Sequence, residues 1–414
     1  MDTREFKGLA LAARANIEWR KTYWYVPSAS SEGGYRVDAD ATTCTCEDYE
    51  LRQRPCKHVH AVRIVKDRGR GKPTPEVETV EVPVSRPTYK QNWPAYNAAQ
   101  VSEKEMFQEL LADLCKTIAW KPREGRGRPR IPVPDAIFAA CFKVYSTFSG
   151  RRFSTDLREA RDAGHTDAAP HYNSVFRVLE DPGTTLILKD LIVRSSLPLR
   201  SVETHFAADG TGFSTSRFAR WFDHKWGVER KKAEWVKCHV MTGVKTNVVA
   251  ACEVNDAADS PMFKQLAHTT ATNFQMEEVS ADKAYSSYDN LELAESLGAV
   301  PYVPFKINSR GDTRPGVWER MHAYFTLNRD EFLRHYHRRS NVESTFSMVK
   351  RKFGDAVRSK TDTAIKNEVL AKILCHNVVV VIHEMHELGI DPTFGQNRRD
   401  GEPVTLRFPE VASS

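Results

Sequence analysis

No apolar run in this chain is long enough to cross a bilayer. The strongest late candidate, VLAKILCHNVVVVI, is interrupted by Lys372, His376 and Asn377, so a buried helix is expected there, with no membrane partner. The opening MDTREFKGLALAARAN has no sustained apolar stretch, and no secretory signal is expected in it. No internal repeat recurs, which excludes a solenoid or propeller array. The eight cysteines form no secreted disulfide framework, which points to a reducing cytosolic setting. Neither sign of charge dominates: 60 Lys and Arg against 54 Asp and Glu leave +6. An excess this mild permits a nucleic-acid partner without demanding one.

What is present is length and a change of texture along it. The 414 residues suffice for two or three domains with at least one large core. Residues 1–68 alternate strand-like runs, TYWYVPS and YRVDAD, with a cysteine cluster and a short helix. Residues 69–101, rich in Pro and charge, read as an extended linker. Helical periodicity follows over 102–198, where Ser102 and Glu105 make a capping box ahead of MFQELLADLCKTI. Further helices are predicted at DAIFAACFKVYSTF, RFSTDLREARDAG and HYNSVFRVLED. Over 199–390 strands come first, VETHFAADGTGFS, RFARWFDHKW, AEWVKCHVMTG and TNVVAACEV, then a strand at EEVSADKAY mixed with helices. That order argues for an α/β domain with a mixed sheet; residues 391–414 form a tail.

CTCEDYELRQRPCKH places Cys44 and Cys46 two apart and Cys56 and His58 two apart, nine residues on. On a strand, Cys44 and Cys46 would point to one side. Cys56 and His58, at the start of the following helix, would complete a tetrahedral set suited to one structural zinc. The alternative, three cysteines buried as small hydrophobes, does not account for four ligand types within fifteen residues. The pattern, with its flanks VPS, YRVD and CKHVHAV, resembles the SWIM-type zinc finger, a class associated with DNA or protein binding. His60 is expected to be only a helix residue.

Three acids sit in distinctive settings. Asp209 ends the apolar run HFAA, and Asp282 ends the β-like run of VSAD. Either alone would be expected to begin a turn or cap a helix. Glu343 is the single acid in the basic segment YHRRSNVESTFSMVK. On one continuous helix, Tyr336, Arg339, Glu343 and Lys350 fall within roughly 60° of arc. Val342, Phe346, Val349 and Phe353 make a separate apolar stripe. One carboxylate among cationic and phenolic groups suits a site that handles phosphate. Asp256 and Asp259 are set aside as a turn and a helix start, and His205 and His239 as packed strand residues.

These residues resemble the DDE transposases of prokaryotic insertion sequences, which have an RNase H-like catalytic fold. Tyr336-x2-Arg339-x3-Glu343-x6-Lys350 matches the YREK signature, DKAY resembles the motif of the second catalytic Asp, and Asp209 resembles the first. The resemblance spans about residues 202–389, with GRPRIPVPDAIFAACFKVYS and PHYNSVF upstream. It implies that Asp209, Asp282 and Glu343 hold two Mg²⁺ or Mn²⁺ ions. It also implies that the chain cuts double-stranded DNA at element ends and joins the exposed 3′-OH to target DNA. Arg339 and Lys350 would hold phosphates, and Tyr336 would position the strand. A homodimer in the synaptic complex and a cytoplasmic, nucleoid-associated location are implied as well. The short gap from Asp282 to Glu343 leaves little room for an inserted β-sheet. A domesticated, non-catalytic DNA binder and a nuclease without strand transfer are the alternatives; three retained metal-binding acids argue against the first.

Two basic segments lie outside this set. Arg126 and Arg128, in Arg126-Gly127-Arg128-Pro129, form the core of an AT-hook for a narrow minor groove, or else a basic loop that touches phosphates only. SGRRF, at 149–153, reads as another basic turn, and the helices of 102–198 are candidates for a helix-turn-helix reader.

Overall fold

The computed structural model describes residues 3–28, 33–69, 92–121, 130–215, 235–306, 308–311, 314–392 and 394. The chain divides into two compact units: Met1–Tyr89 with 307–309 and 326–330, and the remainder. Arg126, Arg128 and the run RFARWFDHKW lie outside the described residues.

In the first unit, helix α1 (Thr3–Arg14) precedes an antiparallel sheet of β1 (Glu18–Arg20), β2 (Tyr23–Pro27) and β3 (Gly34–Asp38). Helices α2 (Glu47–Arg52) and α3 (Lys57–Gly69) follow. Helix α1 lies against α3 closely enough that a Cβ on Gly8 would meet the His60 Cβ at 2.6 Å. His60 is thus a packing residue. The core here is Val26, Val37, Ala41, Val59 and Val62 together with Cys44, Cys46 and Cys56. So small a core needs a cross-link or an ion to hold it.

The second unit begins with α4 (Trp93–Lys116), α5 (Val133–Ser146), α6 (Gly150–Asp162), α7 (Tyr172–Glu180) and α8 (Pro182–Ser196). Helix α4 starts well before the expected Ser102. Asn92 caps it, accepting the Ala95 N–H at 3.3 Å, with Pro94 in the first turn where its missing N–H costs nothing. Ser102 lies inside the helix, its hydroxyl donating to the Ala98 carbonyl at 2.8 Å, so there is no capping box. The SGRRF segment likewise is no free turn: Ser149 is the cap of α6 and the rest is its first turn.

The main sheet contains β4 (His205–Ser214), β5 (Trp235–Gly243), β6 (Val249–Val254), β7 (Glu278–Ala281) and β8 (Val300–Tyr302), in the order β6-β5-β4-β7-β8. Strands β4, β5 and β6 pair antiparallel, whereas β7 pairs parallel with β4, and β8 parallel with β7. Parallel neighbours need crossovers, and α9 (Asp259–Asn273) and α10 (Tyr288–Ser296) supply them. Helices α11 (Val317–Leu327), α12 (Arg329–Tyr336), α13 (Ser340–Phe353) and α14 (Asp362–Leu388) complete the chain. This is the mixed α/β, RNase H-like arrangement expected. Between Asp282 and Glu343 the described residues hold helices and β8, with no inserted sheet.

Helix α14 carries the run VLAKILCHNVVVVI, and its polar interruptions are buried and paired. Asn377 accepts the Val249 N–H at 2.8 Å and donates to the Val249 and Ile192 carbonyls. Lys372 donates to the Gly354 and Ala356 carbonyls, and His376 Nε2 donates to the Asn247 carbonyl at 2.9 Å. Each satisfies a backbone group that the packed helix would otherwise strand away from water. Among the described residues no helix is long and apolar enough to cross a membrane.

Candidate metal centre and active site

The finger ligands come from two short connections. Cys44 is joined to Val37 by one isolated antiparallel bridge, and Cys46 is the N-cap of α2, its sulfur accepting the Tyr49 N–H at 3.4 Å. The expected strand alternation is therefore absent; a turn and a helix cap bring the two sulfurs together instead. Cys56 precedes α3 and His58 lies in its first turn. The four ligand atoms lie within 4.8 Å of one another, with His58 Nδ1 at 3.7 Å from Cys44 Sγ and 3.8 Å from Cys56 Sγ. A tetrahedral zinc with sulfur bonds of about 2.3 Å requires edges of about 3.8 Å, so the set fits the ion. The Tyr35 ring stacks on His58 at 4.3 Å and holds the imidazole plane.

The protonation pattern points the same way. Hydrogen bonding with Cys46 and Cys56, then burial, pushes the Cys44 thiol up. Cys46 rises to about 11: its bond with Cys44 lowers it, but Cys56 and burial outweigh that. Cys56, hydrogen-bonded by both, is driven down. Three thiolates cannot share so small a space unaided, and a divalent cation in place of the thiol protons removes the conflict.

The carboxylates of the second unit are arranged differently. Strand β4 runs on past Asp209 to Ser214, so Asp209 lies mid-strand, opposite Val240 of β5. On its other side the parallel pairing with β7 ends at Ala208 and Ala281. One step further along that register sets Asp209 beside Asp282. Asp282 caps a short 3-10 turn, accepting the Ala284 N–H at 3.1 Å. Glu343, on α13, is reached through Arg339, whose guanidinium donates to Asp209 Oδ2 at 2.7 Å and to Glu343 Oε1 at 3.0 Å. Burial raises the Asp209 carboxyl above the usual carboxylate range, and the charges of Asp282 and Asp259 add to it against the Gly210 N–H and Arg339. Arg339 thus stands between Asp209 and Glu343 as their resident cation; among the described residues only the finger's four ligands are already gathered within reach of one ion.

The basic segment is not one helix. Helix α12 ends at Tyr336, a 3-10 turn covers His337–Arg339, and α13 starts at Ser340. The single arc expected for Tyr336, Arg339, Glu343 and Lys350 is thus broken after Tyr336. Tyr336 is 4% exposed, with the Arg339 guanidinium 5.8 Å from its ring centroid. The buried ring thus packs beside Arg339. Lys350 donates to Thr211 Oγ1 at 2.6 Å, two residues beyond Asp209 on the same face of β4. The apolar stripe Val342, Phe346, Val349 and Phe353 is buried as expected.

One group beside Asp209 was not anticipated. Asp259 does begin α9, but its Oδ1 lies 2.7 Å from Lys237 Nζ and 3.2 Å from His239 Nδ1. Gly210 admits this trio, since a Cβ there would meet Asp259 Oδ1 at 2.7 Å. The available signal was Lys237 and His239 two apart on β5, opposite Gly212 and Gly210.

Residues 200–378 match the family model described as a transposase DDE domain, and residues 35–64 match the SWIM zinc finger. A protein of Archaeoglobus fulgidus, a probable transposase for insertion sequence element ISA1214, is 26% identical over 214 residues. That match covers 51% of this chain and 63% of the relative, so less than two thirds of the relative's length is spanned. Residues 200–378 are therefore similar to transposase DDE domains, and residues 35–64 to SWIM zinc fingers.

Proposed function

We propose that this chain is a DNA transposase in which Asp209, Asp282 and Glu343 form the catalytic carboxylate set. The observation that carries the reading is the parallel register that sets Asp209 beside Asp282, with Arg339 tying Asp209 to Glu343. Bound Mg²⁺ or Mn²⁺, two ions in this reading, supplies the Lewis acidity that phosphodiester cleavage needs. Asp209 is fixed by the Gly210 N–H and Asp282 by its own turn, so two of the three acids are oriented before any ligand arrives. Arg339 presents a planar fork suited to phosphate as well as to carboxylate oxygens, and DNA offers it an alternative partner. Lys350 extends the positive charge along β4 toward a neighbouring phosphate.

In the first reaction a water oxygen bonds to phosphorus and the 3′ oxygen leaves, taking up a proton as the 3′-OH. In the second that hydroxyl attacks a target phosphodiester, exchanging one P–O bond for another with no covalent protein intermediate. The finger, the helices of 102–198 and the Arg126–Arg128 segment supply DNA or protein contacts in this scheme, and two copies join the two ends in a homodimer.

The test is a Mg²⁺-dependent assay on double-stranded DNA carrying the inverted repeats that flank the gene, read for nicks and for joined products. Asp209→Ala, Asp282→Ala and Glu343→Ala are each expected to abolish cutting while end binding persists. Undiminished cutting by any of them removes that residue from the site. Cleavage without joined products would leave a nuclease, and binding without cleavage in the natural chain a DNA-binding descendant.

A further inference from the structure

A cavity of about 690 Å³ opens in the second unit, away from the carboxylates, between the ends of α5 and α13, the first turn of α6, α7 and the start of α14. Its volume is in the range of pockets that take small organic ligands. Two features of its lining are unusual together. Phe148 and Phe176 remain 49% and 40% exposed, presenting aromatic surface to the opening. The Phe176 ring is set hard against the backbone of α6, since a Cβ on Gly150 would meet it at 2.8 Å. Around these rings stand Lys143, Arg351, Arg358 and Lys360.

Lys143 is the informative one. It is 8% exposed, and among the described residues no carboxylate lies within ion-pair distance of it. Glu368 is nearby but spends both oxygens on the Arg358 and Ser359 N–H groups. Burial, and then Arg358, pull the Lys143 ammonium down to about 8. The charge of Glu368 offsets part of the cost of burying this ammonium, and an anion entering the cavity would offset more of it. An anion that also carries a flat apolar face would use the two phenylalanines.

We propose that this cavity receives one unstacked nucleotide of the DNA strand held at the carboxylate site, its phosphate on Lys143 and Arg358 and its base on Phe176. The proposal rests on the transposase reading above. Arg351 lies eight residues beyond Glu343 in α13, about 12 Å along the helix axis. At about 3.4 Å per stacked nucleotide, the captured base sits three to four positions from the phosphodiester that is cut.

Fluorescence anisotropy of the full-length protein with no Mg²⁺ or Mn²⁺ added, so that nothing is cut and the finger keeps its zinc, tests this with two labelled duplexes. One is blunt and the other carries a four-nucleotide single-stranded 3′ tail. The natural chain is expected to bind the tailed duplex about tenfold more tightly. Lys143→Met and Phe176→Ala should each remove the preference and leave blunt-duplex affinity intact, whereas Lys143→Arg should retain it. Phe176 is exposed enough that its variant keeps the test decisive even if Lys143→Met misfolds. A preference that survives both variants, or is missing in the natural chain while the blunt duplex still binds, overturns the cavity assignment alone. Failure to bind either duplex overturns the underlying DNA reading as well. Loss of the preference to micromolar free dAMP would mark a mononucleotide site and overturn the assignment to a strand.

Discussion

The finger and the carboxylate site are both read as metal centres, yet they are prepared in opposite ways. In the finger, three buried thiols and an imidazole crowd one small space, and their protonation states conflict until a cation enters. In the second unit the side chains of Asp209 and Glu343 are 21% and 63% exposed and share the guanidinium of Arg339. The first arrangement suits an ion that stays, because folding and binding are one event. The second suits ions that arrive with substrate, because the charge balance is already met by a group that phosphate can compete for. Burial and the identity of the resident cation, more than ligand count, separate the two roles.

The largest effect that would break this contrast concerns zinc. Stripping it with a chelator, or Cys56→Ser, should remove on the order of 10 kcal/mol from residues 3–69 and open them to proteolysis. The second unit should be spared, and limited proteolysis read by mass spectrometry checks both. A finger that stays protected without metal would place it in the second class. Next comes the effect of Asp209→Asn on cutting rate, expected to be about 10³-fold or more in single-turnover kinetics, with the melting temperature little changed.

A third test asks whether the second unit owes its stability to buried pairing rather than to any ion. Burial holds His376 neutral down to about 4, against 6.5 for a free imidazole. Its contribution is complete above about pH 6.5 and is lost as pH falls from there toward 4, by at most about 3 kcal/mol. Urea unfolding of His376→Asn, in place of the natural chain, should flatten that part of the stability curve. The smallest effect is the sharpest. Arg339→Gln should slow cutting yet tighten Mn²⁺ binding severalfold in calorimetry without DNA, because the carboxylates lose their resident cation. Weaker Mn²⁺ binding would show that Arg339 shapes the site instead of holding it closed.

Much of this was legible in the sequence because it rests on local pattern. The helices at DAIFAACFKVYS and HYNSVFRVLE, the strands around Asp209, and the Cys and His spacing all express short-range periodicity or ligand chemistry. Where the sequence misled, a local rule had two solutions. Ser102 with Glu105 satisfies a capping pattern, but Asn92 followed by Trp93 and Pro94 begins the helix nearly three turns earlier. Tyr336 to Lys350 can be drawn on one wheel, but the 3-10 turn at His337–Arg339 changes the phase. Some features were not legible at all. The lining of the cavity assembles from segments far apart in the chain, and nothing local marks them as neighbours; for Asp259 the two-residue spacing of Lys237 and His239 was the one local sign.

The pairing of β4 with β7 has a consequence for how such a chain can change over time. Asp209 and Asp282 are separated by a long stretch of chain, yet they meet because of strand phase, not because of the length between them. Whole loops between β4 and β7 can lengthen or shrink without moving either acid. Deleting one residue inside β7 would leave the domain's length nearly unchanged and turn the Asp282 side chain to the opposite face of the sheet. Insertions and deletions should therefore be tolerated in the connections and excluded from these few strand positions, so that phase within the strand, more than distance along the chain, identifies the acids of a diverged copy.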